Sequence, residues 1–261
     1  DNLSFMKKLG LVFSGGGVRA LAHAGLLKAL DENGIQPSII SGTSGGALVG
    51  GLYACGVAPE EMLDFFKKTP VFKWSMLTFK KIGLVDSGKY TKFFQKYFKY
   101  PTFEDLRIPL SVAATNLLTG KVKYFSEGEL IQPLIASSAL PPYFSPVKIG
   151  DGLYSDGGLL DNLPIEPIRK RCEVIIGSFI NPLEAITENE LTSSFHFMQR
   201  IYSIAMDGNY SRKFKKCDYV FFHNLSNIGV LDTKMLERAY HYGYEQTNQQ
   251  IELIKSLLVT D

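Results

Sequence analysis

The sequence predicts an α/β fold, and three observations support this prediction. Short, largely apolar runs suited to buried strands alternate with segments that have helical apolar spacing. The first two runs end in glycine-rich junctions, at residues 15–17 and 42–46, that lead directly into helical segments. The length of 261 residues is enough for one sizeable core. No internal repeat or linker interrupts the pattern, so we expect a single domain over residues 1–261.

The composition is that of an ordered globular protein. Apolar residues make up 45% of the chain and charged residues 21%. A net charge of +2 gives no overall attraction to nucleic acid or to a membrane. Cys55, Cys172 and Cys217 are far apart and odd in number, so they indicate neither a metal site nor a disulfide framework. Free thiols in a reducing compartment are expected.

The amino-terminal residues lack the layout of a secretory signal. The apolar run at 9–13 is too short for a signal sequence and continues into glycines. No window approaches the roughly 18–20 apolar residues that span a bilayer. The expected location is cytoplasmic, with peripheral membrane contact as one interpretation of a later segment.

The first strand and helix flank a run of three glycines. The apolar run 9–14 predicts a buried strand, and it ends in Gly15-Gly16-Gly17-Val18-Arg19. A helix is predicted next, and it stops at Asn33-Gly34. Its apolar stripe consists of Leu21, Ala24, Leu27 and Leu30, and Lys28 is expected to face solvent.

The second strand leads into a tight turn around Ser44. A run centred on Ile39 and Ile40 stops at Gly42-Thr43-Ser44-Gly45-Gly46. This G-x-S-x-G pattern is that of a nucleophile elbow, which exposes a serine hydroxyl at a strand end above a helix N-terminus. Gly42 and Gly46 remove the Cβ atoms that would clash in such a turn. Taken alone, the motif is equally compatible with an ordinary glycine-rich turn.

Residues from about 60 to 100 are predicted to form a helical insertion of unusual composition. Met62 to Tyr100 contains nine lysines, two aspartates and eleven aromatic residues. Residues 87–100 are predicted to be a helix with aromatic and lysine-rich faces. One interpretation is peripheral membrane contact through residues 62–100, with aromatics in lipid and lysines at anionic head groups. The other, which we favour, is that the aromatics pack on the core and the lysines are solvated.

The later elements follow from shorter patterns. Ser126-Glu127-Gly128-Glu129 has the form of a capping box and predicts a short helix that Pro133 kinks or ends. Further predictions are a strand pair at 109–115 and 121–125, a hairpin at 147–154, strands at 174–179 and 219–222, and a closing helix at 233–258 capped by Asp232.

Gly15, Gly16 and Gly17 offer unobstructed N–H groups at a helix N-terminus, a site suited to an anion. One interpretation is an oxyanion hole for a tetrahedral intermediate. The other is a dinucleotide site, because Gly15-x-Gly17-x-x-Ala20 matches G-x-G-x-x-G/A. A dinucleotide site needs an acidic residue at the end of the next strand, where this chain has the Ser44 turn. The dinucleotide interpretation is therefore disfavoured.

A serine needs a base before it can act as a nucleophile. The four histidines, His23, His196, His223 and His241, form no recognisable constellation. Ser44 follows a single βα unit, which is too early for an α/β-hydrolase triad. Asp156 is the stronger candidate, since Gly157 and Gly158 keep the backbone beside it open, although an Asp-Gly pair alone is more often a β-turn.

Together these motifs resemble the patatin-like phospholipase family. The order is Gly-Gly-Gly-x-Arg at 15–19, Gly-Thr-Ser-Gly-Gly at 42–46 and Asp-Gly-Gly at 156–158. The run from Ala136 to Pro141, followed by Phe144-x-Pro146 and Asn162-Leu163-Pro164, is also typical of that family. The resemblance extends from about Leu9 to Asn181. It implies a three-layer α/β/α fold with a mostly parallel central sheet.

The resemblance also implies a chemistry. It implies a hydrolase that cleaves fatty-acyl esters of phospholipids or lysophospholipids, with a lipid ester as partner and no metal or cofactor. By motif match, Ser44 is the nucleophile and Asp156 its base, without histidine. The oxyanion loop is Gly15, Gly16, Gly17 and Arg19. The alternatives are an acyltransferase that uses the same acyl-enzyme, a catalytically dormant lipid-binding protein and, last, a nucleotide-binding protein.

One position departs from the family pattern. Ala20 stands where the family usually has glycine after the basic residue. Alanine would strain a backbone with positive φ, but it suits the start of a helix. We expect the second case.

Overall fold

A mixed sheet of eight strands forms the centre of the computed structural model, which describes residues 6–69, 87–141, 144–207 and 210–259. The strands are β1 (Leu9–Phe13), β2 (Ile39–Thr43), β3 (Leu110–Asn116), β4 (Lys121–Phe125), β5 (Val147–Ile149), β6 (Gly152–Asp156), β7 (Val174–Phe179) and β8 (Tyr219–Phe222). The order across the sheet is β5-β6-β3-β2-β1-β7-β8, and β4 also pairs with β3. The strands predicted from the sequence are confirmed.

The sheet has a parallel centre and an antiparallel extension. Strands β3, β2, β1, β7 and β8 run parallel to one another, whereas β4 and β6 pair antiparallel with β3. The carboxyl ends of the parallel strands therefore meet at one edge of the sheet, where sites in α/β folds usually lie. The loops after β1, β2 and β7 all start from this edge.

Helices cover both faces of the sheet. They are α1 (Leu21–Glu32), α2 (Gly45–Ala54), α3 (Met62–Lys68), α4 (Ser87–Phe94), α5 (Ile131–Ser137), α6 (Ser194–Asp207), α7 (Tyr210–Phe214), α8 (Leu236–Gln249) and α9 (Ile251–Leu258). Side chains alternate along β1, so Leu11 and Phe13 join a large cluster with α1, α2 and α8, while Val12 joins a second one with Ile168 and Tyr210. This is the predicted three-layer arrangement.

Two predictions about α5 require correction. Pro133 neither kinks nor ends a helix, because it lies in the first turn of α5, where its missing N–H breaks no helical hydrogen bond. The N-cap position is Leu130, and the carboxylate of the preceding Glu129, not the side chain of Ser126, accepts the N–H groups of Ile131 and Gln132.

The predicted closing helix is divided. A 3₁₀ turn at Thr233–Met235 precedes α8, and Asp232 accepts the N–H of Lys234 as predicted for its cap. At Gln250 the backbone leaves helical geometry, with φ −109° and ψ 7°, and α9 follows. The break directs α9 toward the start of the sheet, where the N–H of Lys7 donates to the carbonyl of Leu258.

The described aromatic residues of the 62–100 segment are buried in the core or packed against it. Phe65, Phe66 and Phe94 are fully buried, as expected from the core-packing interpretation. Helix α4 ends at Phe94 and not near residue 100, and the turn that follows stacks the ring of Phe98 on that of Phe94 with 5.5 Å between centroids. Phe72, Trp74 and Phe79 lie outside the described residues. Membrane contact through residues 62–100 stays a prediction.

The state of the cysteines and the character of the helices can be compared with the predictions of free thiols and of no membrane-spanning segment. Cys55, Cys172 and Cys217 are free thiols, as expected, while the cytoplasmic location itself stays a prediction. None of the described helices has the length and apolar character to cross a membrane.

Candidate active site

Ser44 lies in a strained turn at the carboxyl end of β2. Its φ is 52° and its ψ −126°, and it is the only residue other than glycine with a positive φ in the described ranges. Such a conformation costs on the order of 1–3 kcal/mol and persists only where its surroundings impose it. The N–H of Ser44 donates to the Ser137 hydroxyl at 2.8 Å, and that hydroxyl donates to the Ala113 carbonyl at 2.6 Å. The turn is thus held by a hydrogen-bond chain to β3.

Gly46 allows this turn to lie against β1. A Cβ atom at this position would be 2.5 Å from the carbonyl oxygen of Ser14 and 2.6 Å from that of Phe13. Backbone atoms cannot retreat from such a clash as a flexible side chain can. The second glycine of the G-x-S-x-G motif is therefore required by close packing between α2 and the end of β1.

The sheet register brings Ser44 and Asp156 to the same level. Thr43 of β2 pairs with Ala113 of β3, and the next residue of β3, Ala114, pairs with Asp156 of β6. Because β4 pairs with the other side of β3 along both stretches, β2 and β6 lie on the same side of β3, one after the other. Ser44, which follows Thr43, and Asp156 are therefore neighbours where the end of β2 meets the end of β6.

The carboxylate of Asp156 is buried beside Ser44. Asp156 is 1% exposed, and its Oδ1 accepts the N–H of Gly158, two residues further along the chain, at 2.8 Å. Burial raises the pKa of Asp156 to about 7, and hydrogen bonds from Ser44 and from Gly158 act in the opposite direction. Oδ2 has no partner at full hydrogen-bond geometry among the described residues. The Ser44 hydroxyl thus lies close enough to act on the carboxylate, without a fully formed hydrogen bond to Oδ2.

The glycine loop presents two available N–H groups. The N–H of Gly15 already donates to Asn162 Oδ1 at 2.8 Å, and its carbonyl accepts from Asn181 Nδ2 at 2.8 Å. Gly16 and Gly17 donate to no residue in the described ranges. Of the three glycines predicted to form the oxyanion loop, Gly15 is therefore fixed by hydrogen bonds of its own. Gly16 and Gly17 carry the N–H donors suited to an anion.

Arg19 holds the loop through its side chain. Its guanidinium donates to the carbonyl of Ile228 at 2.6 Å, to Asn181 Oδ1 at 2.9 Å and to the carbonyl of Ser226 at 3.4 Å. Burial lowers the pKa of Arg19. The adjacent Ala20 has φ −59° and ψ −16°, so alanine is unstrained here, as predicted.

Two buried histidines belong to a hydrogen-bond network that holds the residue before the glycine loop. His23 Nε2 lies 2.9 Å from the carbonyl oxygen of Ser14, which only accepts, so this nitrogen carries the proton. His23 Nδ1 then accepts from the Ser178 hydroxyl at 2.7 Å, and Ser178 accepts from His223 Nε2 at 2.9 Å. Burial lowers the pKa of His23 to about 3 and that of His223 to about 4, so both rings are neutral. Neither histidine lines the cavity described next.

A cavity of about 760 Å³ opens above Ser44 and Asp156. Gly16, Gly17 and Arg19 line it, and Leu140, Phe179 and Leu183 contribute apolar wall. One histidine of the described residues, His196 of α6, also lines it, and its Nδ1 lies 2.7 Å from the Thr192 hydroxyl. No cluster of three or more histidine, cysteine, aspartate or glutamate side chains suited to a metal ion exists in the described part of the chain.

Comparisons with known proteins agree with this fold. A family model described as patatin-like phospholipase matches residues 11–169. The chain is 31% identical over 173 residues to lysophospholipase NTE1 of Cryptococcus neoformans var. neoformans, which covers 63% of this chain and 10% of that protein. It is 32% identical over 163 residues to an uncharacterized NTE family protein of Mycobacterium bovis, covering 62% of this chain and 45% of the relative. The chain thus spans a minor part of the curated relatives it matches.

A solved structure shows the same fold at low identity. VipD from Legionella pneumophila aligns with a TM-score of 0.55 and 17% identity, over 95% of this chain and 67% of that chain. The fold is that of a patatin-like α/β protein. With the family model matching more than half of its length, this chain belongs to the patatin-like phospholipase family.

Several residues of the site were not singled out from the sequence. Asn162 and Asn181 clamp Gly15, and Ser137 fixes the backbone of Ser44. Asn162 lies in the Asp-Asn-Leu-Pro run that carried part of the resemblance, so a signal was present. Gly45, the first residue of α2, also donates its N–H to nothing described, and the elbow motif itself implies a donor at this position.

Proposed function

We propose that this chain is a serine acyl hydrolase that cleaves fatty-acyl esters of phospholipids or lysophospholipids. The observation that carries the proposal is a buried carboxylate, Asp156, with a raised pKa beside a serine in a strained elbow. A carboxylate with a pKa of about 7 is a far stronger base toward a hydroxyl than one at the reference value of about 3.9. Family membership and the lysophospholipase relatives support lipid esters as the substrate class.

The first half of the reaction forms an acyl-enzyme. Asp156 accepts the proton of the Ser44 hydroxyl while Oγ attacks the ester carbonyl carbon. The negative oxygen of the tetrahedral intermediate is stabilised by the N–H groups of Gly16 and Gly17, with the dipole of the helix that follows adding partial positive charge. Collapse of the intermediate breaks the ester bond. The leaving alcohol takes its proton from Asp156, and the acyl group remains on Ser44.

The second half releases the fatty acid. Water donates a proton to Asp156 as its oxygen attacks the acyl carbon on Ser44. The second tetrahedral intermediate uses the same N–H donors, and its collapse returns the proton to Ser44 Oγ. One ester and one water thus give one fatty acid and one alcohol. An alcohol that replaced water here would make the same acyl-enzyme an acyltransferase.

Substitution of the proposed nucleophile, the proposed base and the cavity histidine tests this scheme. Ser44→Ala and Asp156→Ala are each expected to lose at least about 10³-fold in the rate of p-nitrophenyl ester hydrolysis, because each removes a group that reacts in both half-reactions. His196→Gln is expected to stay within about threefold, since a dyad has no step for histidine.

Each contrary result identifies a different alternative. Full activity in Asp156→Ala with loss in His196→Gln would replace the dyad by a serine–histidine pair. Product analysis with an added alcohol separates hydrolysis from acyl transfer. An unsubstituted protein that neither hydrolyses esters nor reacts with fluorophosphonate would indicate a dormant, lipid-binding site.

A further inference from the structure

Exposed apolar side chains are concentrated at the edge of the sheet that holds Ser44. The six residues that we call the apolar rim are Leu117 and Leu118, in the turn between β3 and β4, and Phe197, Met198, Ile201 and Ile204 of α6. Leu160, Ile186, Leu191 and Phe222 are also exposed on segments that border this edge. Among the described residues, the other exposed large apolar side chains are Met6, Leu253 and Val259, on chain ends that meet ahead of β1.

Helix α6 joins the apolar rim to the cavity. His196, Arg200 and Ser203 line the cavity at i, i+4 and i+7 spacing. Phe197, Ile201 and Ile204 repeat that spacing one residue later, about 100° further around the helix, and they are 45% to 52% exposed. One stripe of α6 is therefore a wall of the cavity, and the neighbouring stripe is an apolar face in solvent.

The β3–β4 turn extends the apolar rim beyond the sheet. Asp156 pairs with Ala114 of β3, and the strand continues past that level to Asn116 before the turn begins. Leu117 and Leu118 therefore project outward from the edge at which the cavity lies, and they are 45% and 66% exposed. Single exposed leucines are ordinary, but several large apolar side chains around one cavity mouth mark an interaction surface.

The charges beside the apolar rim indicate what covers it. Lys121 and Lys123 follow the leucines, and Arg212 and Lys215 follow α6; all four are exposed and form no ion pair within the described ranges. Glu188 and Glu190 are exposed on the loop that precedes α6. The surface thus presents both signs around an apolar centre, which complements a head group with a phosphate and an amine.

We propose that the apolar rim docks on the surface of a zwitterionic phospholipid layer, with the cavity mouth facing the lipid. Phe197, Met198 and Ile201 enter the acyl boundary while the flanking cations contact phosphates. This inference rests on the proposed function, because a cavity that accepts a lipid ester gains from an entrance in contact with lipid. Apolar burial carries most of the attraction, so the docking is expected to persist at high salt.

Vesicle partitioning measures the docking apart from catalysis. The experiment uses Ser44→Ala protein with phosphatidylcholine vesicles in sedimentation at low and high salt, so that hydrolysis cannot alter the lipid. Met198→Asp, added to this background, is expected to lower the partition coefficient about tenfold, since it places a charge in the acyl boundary. Met6→Asp is the matched control, because Met6 is 55% exposed and Met198 57%, and it is expected to leave the coefficient unchanged.

Two further readouts separate the outcomes. In otherwise unsubstituted protein, Met198→Asp is expected to lower the rate on vesicle substrate about tenfold relative to the rate on a water-soluble monomeric ester. Equal partitioning of the Met198 and Met6 variants would overturn the proposal, and so would the absence of binding to these vesicles. A dimer that Met198→Asp dissociates, with no change in partitioning, would instead assign the surface to a second copy. Failure of the proposed function is distinct, since it appears as no hydrolysis of the monomeric ester.

Discussion

The chemistry of the site depends on the ionisation of one residue, Asp156. Only the ionised carboxylate can accept the Ser44 proton, and burial raises the pKa of Asp156 to about 7. We therefore expect kcat/KM on a monomeric ester to rise about tenfold per pH unit below about pH 7 and to level off above it. Stopped-time assays between pH 5 and 9 measure this. A profile that is flat down to pH 5 would show that the base titrates near its ordinary value.

The same buried charge also affects stability. The pKa of Asp156 is about 7 in the folded chain, against 3.8 for the ordinary group. Ionisation of this group therefore makes the free energy of unfolding fall as the pH rises from about 4 to about 7, and above pH 7 its contribution no longer changes. Asp156→Asn removes the charge and keeps an acceptor for the N–H of Gly158. This variant is expected to raise the melting temperature at pH 8 by several degrees and by much less at pH 5. Calorimetry at both pH values tests this, and an equal shift at both would contradict it.

At the scale of elements, the glycine loop is held by a hydrogen-bonded bridge between α1, β7 and the end of β8. Ser178 connects His23 to His223, and His23 holds the Ser14 carbonyl immediately before Gly15. Ser178→Ala leaves the bridge incomplete. We expect the free energy of unfolding of this variant to be about 1–3 kcal/mol lower. We also expect its kcat to fall by a larger factor than the factor by which its KM changes.

Ser111→Ala is the control for this bridge. Ser111 is equally buried, but its hydroxyl has no hydrogen-bond partner in the described part of the chain. Its removal is expected to be neutral or slightly stabilising, since an unpaired buried hydroxyl has a desolvation cost. Denaturant titration and steady-state kinetics of both variants give the comparison. Equal changes in stability and in kcat for the Ser178 and Ser111 variants would contradict a role of the bridge in holding the glycine loop.

Local elements were predictable where neighbouring residues decide the structure. The Gly42–Gly46 turn follows from sterics within five residues, and the strand at Val174–Phe179 from a run of apolar residues. The end of α4 at Phe94 was missed because it depends on aromatic packing against distant residues. The bond between Gly15 and Asn162 joins positions 147 residues apart, and no local pattern records such a contact.

At the scale of the whole molecule, one aromatic cluster joins the 62–100 segment to the core. The ring of Phe65 lies within 5.7 Å of those of Phe94 and Phe98, centroid to centroid, and all three residues are buried. Phe65→Ala is expected to lower the free energy of unfolding by about 3–5 kcal/mol, because it leaves a cavity among rings that cannot collapse fully. A variant with unchanged stability and reduced vesicle binding would favour the membrane interpretation of this segment.

The distribution of apolar surface was the least predictable property of the molecule. In the sequence, residues 62–100 stand out because aromatics and lysines are interleaved there, yet the described aromatics of this segment are buried in the core or packed against it. Much of the exposed apolar surface lies instead on α6, whose pattern of Phe197, Ile201 and Ile204 is that of any core-facing helix. Periodicity reveals that a helix has an apolar face, but the fold decides whether that face is covered.

The most direct test of the Ser44–Asp156 proposal is the site and rate of fluorophosphonate labelling, followed by peptide mass spectrometry. The reagent reports the nucleophile by its adduct and the base by the rate of its formation, without any choice of lipid. We expect an adduct on Ser44, formed at least about 100-fold more slowly in Asp156→Asn and at a nearly unchanged rate in His196→Gln. An adduct on another residue, or an equal rate in Asp156→Asn, would contradict the proposal that Ser44 and Asp156 act together.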